Sequence, residues 1–201
     1  MRLEGRVGTI DVDAASINPL RTSTDGSLII REGGGRHYQA AIEGRLFSVA
    51  NQAAVTTTAA LATNWTGLAV CNPTGSGKNL IMLEFGWALM ADCTDDGVIG
   101  LMTTTDAAMT SALTPVPVMY GRGSSVALVD TANGTTGTNV LERICGTHAM
   151  CVDETVQISV PQSIYKIDGS IILPPGRSVL TYTTTVSDTV IFHFLWEEVD
   201  A

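Results

Sequence analysis

The stretch DGSIILPPGRSVLTYTTTVSDTVIFHFLWEEV, from Asp168 to Val199, constrains the fold more than any other part of the chain. It reads as three antiparallel strands joined by two tight turns. In Thr189–Trp196 the residues Val190, Phe192, Phe194 and Trp196 fall on one face and Ile191, His193 and Leu195 on the other, so both faces read as largely buried. Pro174-Pro175-Gly176 supplies a fixed φ followed by a permissive glycine, and Ser187-Asp188 supplies the second turn. A chain that ends this way is expected to be a β-sandwich.

Upstream, the same habit continues. Short strand-like runs separated by turn signals predict strands near 45–58, 66–71, 79–90, 97–103, 125–130, 139–145, 155–160, 164–172, 178–186 and 189–199. Leu80–Met90 is long enough for a helix, but Ile81, Leu83, Phe85, Trp87 and Leu89 alternate and Gly86 weakens a helix interior, so a long strand is expected. The region 104–124, with Ala107–Ala112 followed by Pro115 and Pro117, predicts a short helix and a long loop. Residues 1–44 hold glycine clusters and small polar residues, which predicts an N-terminal arm or irregular lead-in before a sandwich over 45–201.

The 201 residues, 45% hydrophobic and 15% charged, suit one such sandwich without metal or disulfide staples. Of the net charge of −9, residues 1–45 contribute nothing, with six arginines against six acids, while 46–201 hold fourteen acids and five bases. So acidic a body lacks the clustered Lys and Arg that counterion release requires, and nucleic acid is not an expected partner. The opening MRLEGRVGTIDVD lacks the apolar core of a secretory signal, and no apolar run approaches bilayer-spanning length, so the expectation is a reducing cytosol and no membrane partner. In that compartment Cys71, Cys93, Cys145 and Cys151 read as free thiols, and the sequons at Asn64 and Asn133 carry no meaning.

Several motifs resemble sites and fail on chemistry. Pro73-Thr74-Gly75-Ser76-Gly77-Lys78-Asn79 looks like a phosphate loop, but its first glycine is replaced by Asn72 and its magnesium-binding hydroxyl by Asn79, and no helix follows. It reads as an exposed turn between strands. Cys145, His148 and Cys151, with Asp153, match no structural zinc spacing, Asp11 and Asp13 lack the rest of a calcium loop, and Asp95-Asp96 precedes Gly97 as a turn would. His37, His148 and His193 are scattered, no serine stands in a nucleophile elbow, and Glu197 and Glu198 point to opposite faces of one strand. No catalytic residue, cofactor site or metal site is therefore expected, and the chain is not read as an enzyme.

The phrases GRHYQAAIEGRLFSVANQA, TNWTGLAVCNPTGSGKNLIMLEFGW and SIILPPGRSVLTYTTTVSDTVIFHFLWEEV resemble a group of tailed-bacteriophage virion proteins of similar size. In that group a lead-in precedes a jelly roll. The resemblance implies a jelly-roll-like antiparallel β-sandwich with an extended N-terminal arm, and the role of a capsid decoration (cement) protein that bridges capsid subunits. It further implies a homotrimer on the capsid surface, made in the host cytoplasm and bound to the major capsid protein. Arg2, Arg6, Arg21, Arg31 and Arg36 would then pair with carboxylates on adjacent subunits. The mean hydropathy of +0.24 fits a surface partly covered by partners. The alternative is a carbohydrate-binding jelly-roll module of a tail or head fibre, for which Trp65, Tyr120 and Tyr38 are the candidate exposed aromatics, while Trp87 and Trp196 are expected in the core. A cupin enzyme would need a histidine cluster that three scattered histidines do not supply.

Overall fold

The computed structural model describes residues 35–90, 97–105, 107–109, 113–135, 137–148, 163–184 and 189–201. The expected strand at 155–160, the turn at Ser187-Asp188 and residues 1–34 of the arm lie outside them. The chain divides into two compact units, Met1–Tyr38 and Gln39–Ala201. Among the described residues there is one short helix, α1 (Tyr38–Ile42). Twelve strands follow: β1 (Leu46–Ala50), β2 (Val55–Thr56), β3 (Asn64–Asn72), β4 (Lys78–Leu89), β5 (Gly97–Thr105), β6 (Ala107–Ala108), β7 (Val116–Pro117), β8 (Leu128–Thr135), β9 (Val140–His148), β10 (Ser163–Leu173), β11 (Arg177–Thr183) and β12 (Thr189–Asp200).

Eight of these strands pair as one long hairpin would if it were folded back and rolled up. β1 pairs with β12, β3 with β11, β4 with β10 and β5 with β9, all antiparallel. The pairings β4–β12 and β5–β11 then join these ribbons into two sheets, ordered β10-β4-β12-β1-β7 and β6-β8-β3-β11-β5-β9. This nested order is a jelly roll, which confirms the expected fold class. The extra strands β7 and β2 extend the first sheet, and β8 with β6 the second.

The alternation read from the last strand sets the core. Val190, Phe192, Phe194 and Trp196 are fully buried between the sheets, and register places Phe194 opposite Phe85 on β4 and Trp196 opposite Phe47 on β1. Phe85 lies within 5.1 Å of Phe194 and 5.4 Å of Trp87, centroid to centroid, in tilted geometries that suit the ring quadrupoles. The opposite face of β12, Ile191, His193 and Leu195, is half-buried rather than closed. Part of its cover comes from α1, where Ala40 packs with Leu46 and Leu83 beside Leu195.

Three local expectations are corrected. The run 45–58 is not one strand: the side chain of Asn51 donates to Val190 O at 3.1 Å and accepts from Phe192 N–H at 2.9 Å, taking the place of a backbone ladder and ending β1. Within the region 104–124, where a short helix and a long loop are expected, Ala107–Ala108 is instead the strand β6, because the edge of β8 offers partners at Thr135 and Gly134. The lead-in read as irregular to 44 contains α1, which ends at a glycine: Gly44, at φ 72°, donates to Ala41 O, and Arg45 donates to Ala40 O, as in a glycine-stopped helix.

Candidate interaction surfaces

The phosphate-loop look-alike is a structural lock. Asn72 closes β3 with its side chain fully buried, donating to Lys78 O at 2.7 Å and to Leu173 O at 2.8 Å while accepting from the Ser76 hydroxyl at 2.6 Å. Gly75 and Gly77 adopt φ of 80° and 69°, which a β-carbon would strain. The backbone of Asn72 also accepts from Gly176 N–H at 2.8 Å, so the β3–β4 turn and the Pro174-Pro175-Gly176 turn are tied together. Lys78, the residue that would reach a phosphate, instead pairs with Asp200 at 2.6 Å and holds that carboxyl below its ordinary range. Asn72, Ser76 and Lys78 therefore act in folding, and the pattern's polar groups are used internally.

The remaining titratable candidates are also accounted for within the sandwich. Glu197 pairs with Arg45, which holds Glu43 on its other side at 2.6 Å. Glu198 is buried and accepts from the Ser125 hydroxyl, from Val126 N–H at 3.2 Å and from Trp196 Nε1–H at 3.2 Å. The two carboxylates thus serve separate networks, as their alternation predicted. His193 lies across Gly86, where a β-carbon would stand 2.2 Å from its Nδ1. Burial lowers its pKa from the ordinary 6.5; Glu84 opposes this and Lys166 adds to it. Cys145 is half-buried on β9 with its thiol pushed up to about 12, mainly by burial and against the pull of Arg143, so it is a poor thiolate. Cys71 and Cys145 are in no disulfide. Cys151 and Asp153 lie outside the described residues, and among those described no cluster of three metal-binding side chains forms.

What the sandwich does present is apolar surface at both of its lateral edges. At one, the edge strands β9 and β10 carry exposed Val140, Leu141, Ile144, Ile164 and Ile172. Between them opens a cleft of about 320 Å³ lined by Thr103, Glu142, Ser170, Ile171, Ile172, Leu173, Pro174 and Arg177. Arg143 donates to Ser170 at 3.1 Å across the two strands. At the other edge β7 pairs with β1 and exposes Val116, and the chain leaving it exposes Val118, Met119 and Tyr120, the last at 93%. Long apolar edges are unusual on a chain with nothing to cover them.

Of the aromatics considered for sugar stacking, Tyr120 and Tyr38 are exposed, whereas Trp65 is buried and corrects that expectation. Its indole N–H donates to Thr181 O at 2.8 Å, and its ring occupies space that Gly67 leaves, since a β-carbon there would fall 2.4 Å from it. Trp87 and Trp196 are in the core as expected. Among the expected partner-contact arginines, Arg36 is exposed, and Arg2, Arg6, Arg21 and Arg31 lie outside the described residues. The β9–β10 cleft had no sign in the sequence: its exposed aliphatics, Val140, Leu141 and Ile144 on β9 and Ile164 and Ile172 on β10, follow no single alternation with polar residues. Comparison with family models, curated proteins and solved structures finds no match to the chain.

Proposed function

We propose that the chain is a structural protein of a tailed-bacteriophage virion, a decoration (cement) protein that stabilises the capsid by bridging its subunits. The observation that carries this reading is the collection of exposed apolar side chains along both lateral edges of a jelly roll whose polar side chains lock its own turns. A cement protein has to resist strain and make contacts sideways, and a sandwich tied at Asn72 with adhesive edges meets both needs. Its partners would be the major capsid protein and further copies of itself, as a homotrimer on the capsid surface. Cosedimentation with undecorated capsids of the encoding phage tests the reading: binding is expected, and deletion of residues 1–35, with Arg2, Arg6, Arg21 and Arg31, should abolish it while the sandwich stays folded. Absence of binding by the intact chain would reject the reading. A carbohydrate-binding module is the second reading, favoured by the exposure of Tyr120; glycan binding lost in Tyr120→Ala would support it.

A further inference from the structure

We propose that the chain associates with itself head to tail, seating Tyr120 of one copy in the β9–β10 cleft of the next. The turn that carries Tyr120 is preformed. Arg122 N–H donates to Met119 O at 3.0 Å, and Gly121 at φ 79° takes the position where a type II turn demands a left-handed residue. Gly123 then packs so closely on Gly44 that a β-carbon would stand 2.5 Å from its carbonyl oxygen, while Val118 N–H donates to Leu46 O at 2.9 Å. An exposed aromatic carried on a backbone turn that is already formed orders only its own side chain on docking, which is the character of a binding anchor.

The cleft offers what this anchor lacks. Ile172 is exposed in its lining beside the buried Ile171 and Leu173, and Thr103, Glu142, Ser170 and Arg177 make the rest largely polar, so a phenol entering it meets both aliphatic and hydrogen-bonding groups. Charge is complementary as well. Arg122, exposed next to Tyr120, makes no ion pair among the described residues, and neither do Glu142 and Arg177 at the cleft. On docking, Arg122 can take the Glu142 carboxylate and Arg177 can donate to the Tyr120 phenol oxygen. Because β7 and β10 stand at opposite edges of one sheet, knob and cleft cannot meet within a copy. The contact is therefore heterologous, and closes into a ring when its rotation permits. The inference rests on the self-association part of the virion reading, and its experiment uses no capsid, so that either can fail without the other.

Native mass of the full chain, measured by light scattering for the wild type, Tyr120→Ser, Ile172→Arg and an equal mixture of the two variants, tests it. The wild type should be an oligomer, and each variant should associate at least about 30-fold more weakly, as expected for loss of an anchor. Circular dichroism should show both variants folded, since both positions are exposed. The mixture should form dimers, because one variant keeps the cleft and the other keeps Tyr120. Glu142→Arg should restore association to Arg122→Glu. A monomeric wild type, an oligomer that Tyr120→Ser leaves unchanged, or a mixture that stays monomeric would overturn the proposal.

Discussion

At the Asn72 turn a buried amide, the Ser76 hydroxyl and two backbone carbonyls satisfy one another inside the protein, while at the neighbouring β9–β10 edge Ile144 and Ile172 stand more than half exposed. Polar groups face inward where turns must be rigid, and apolar groups face outward where another surface can be met. This reverses the ordinary arrangement of a monomer's periphery. One region thus bears on stability and the other on association, and mutations should separate the two.

The scale is set by the core that both regions share. Phe85→Ala removes a ring touching Trp87, Phe192 and Phe194 and should cost about 3–5 kcal/mol in chemical denaturation. Asn72→Ala should cost about 2–3 kcal/mol, because Lys78 O and Leu173 O lose their buried donor. At the edge, Ile144→Ser and Ile172→Ser should change the stability of the isolated sandwich by no more than about 0.5 kcal/mol. A large loss at either edge position, or none at Asn72, would break the contrast.

The smallest effect is a pH dependence. Burial holds the pKa of His193 below the ordinary 6.5, so between those two values the unfolded chain binds more protons than the folded one. Stability should therefore fall as pH drops through that window. Urea midpoints measured from about pH 7.5 to about pH 5 should show the slope, and His193→Gln should flatten it. An unchanged slope in the variant would assign the dependence to other groups.

The sandwich was legible because a strand's side chains alternate, and each buried face left that alternation in the sequence. Lys78–Leu89 was recognisable as a strand for this reason despite its length. Short elements were not legible. β6 and β7 have two residues each and exist only because β8 and β1 offer edges to pair with, which no local pattern records. Trp65 was misread for a similar reason: its burial depends on space left by Gly67 and an acceptor on β11, distant in sequence or invisible as an absence. Asn72 was legible only as a failed phosphate loop, since its two carbonyl partners lie at the ends of two different strands, β4 and β10. The cleft arises from how the two sheets' edges meet, with Arg177 and Glu142 brought from separate strands, and no spacing in the chain encodes it.

Light scattering of the wild-type chain over a wide dilution series tests most directly whether the exposed edges are contact surfaces. The account predicts a closed oligomer whose mass is a whole multiple of 21.1 kDa and holds until dissociation on dilution. A particle of 21.1 kDa at every concentration would contradict it.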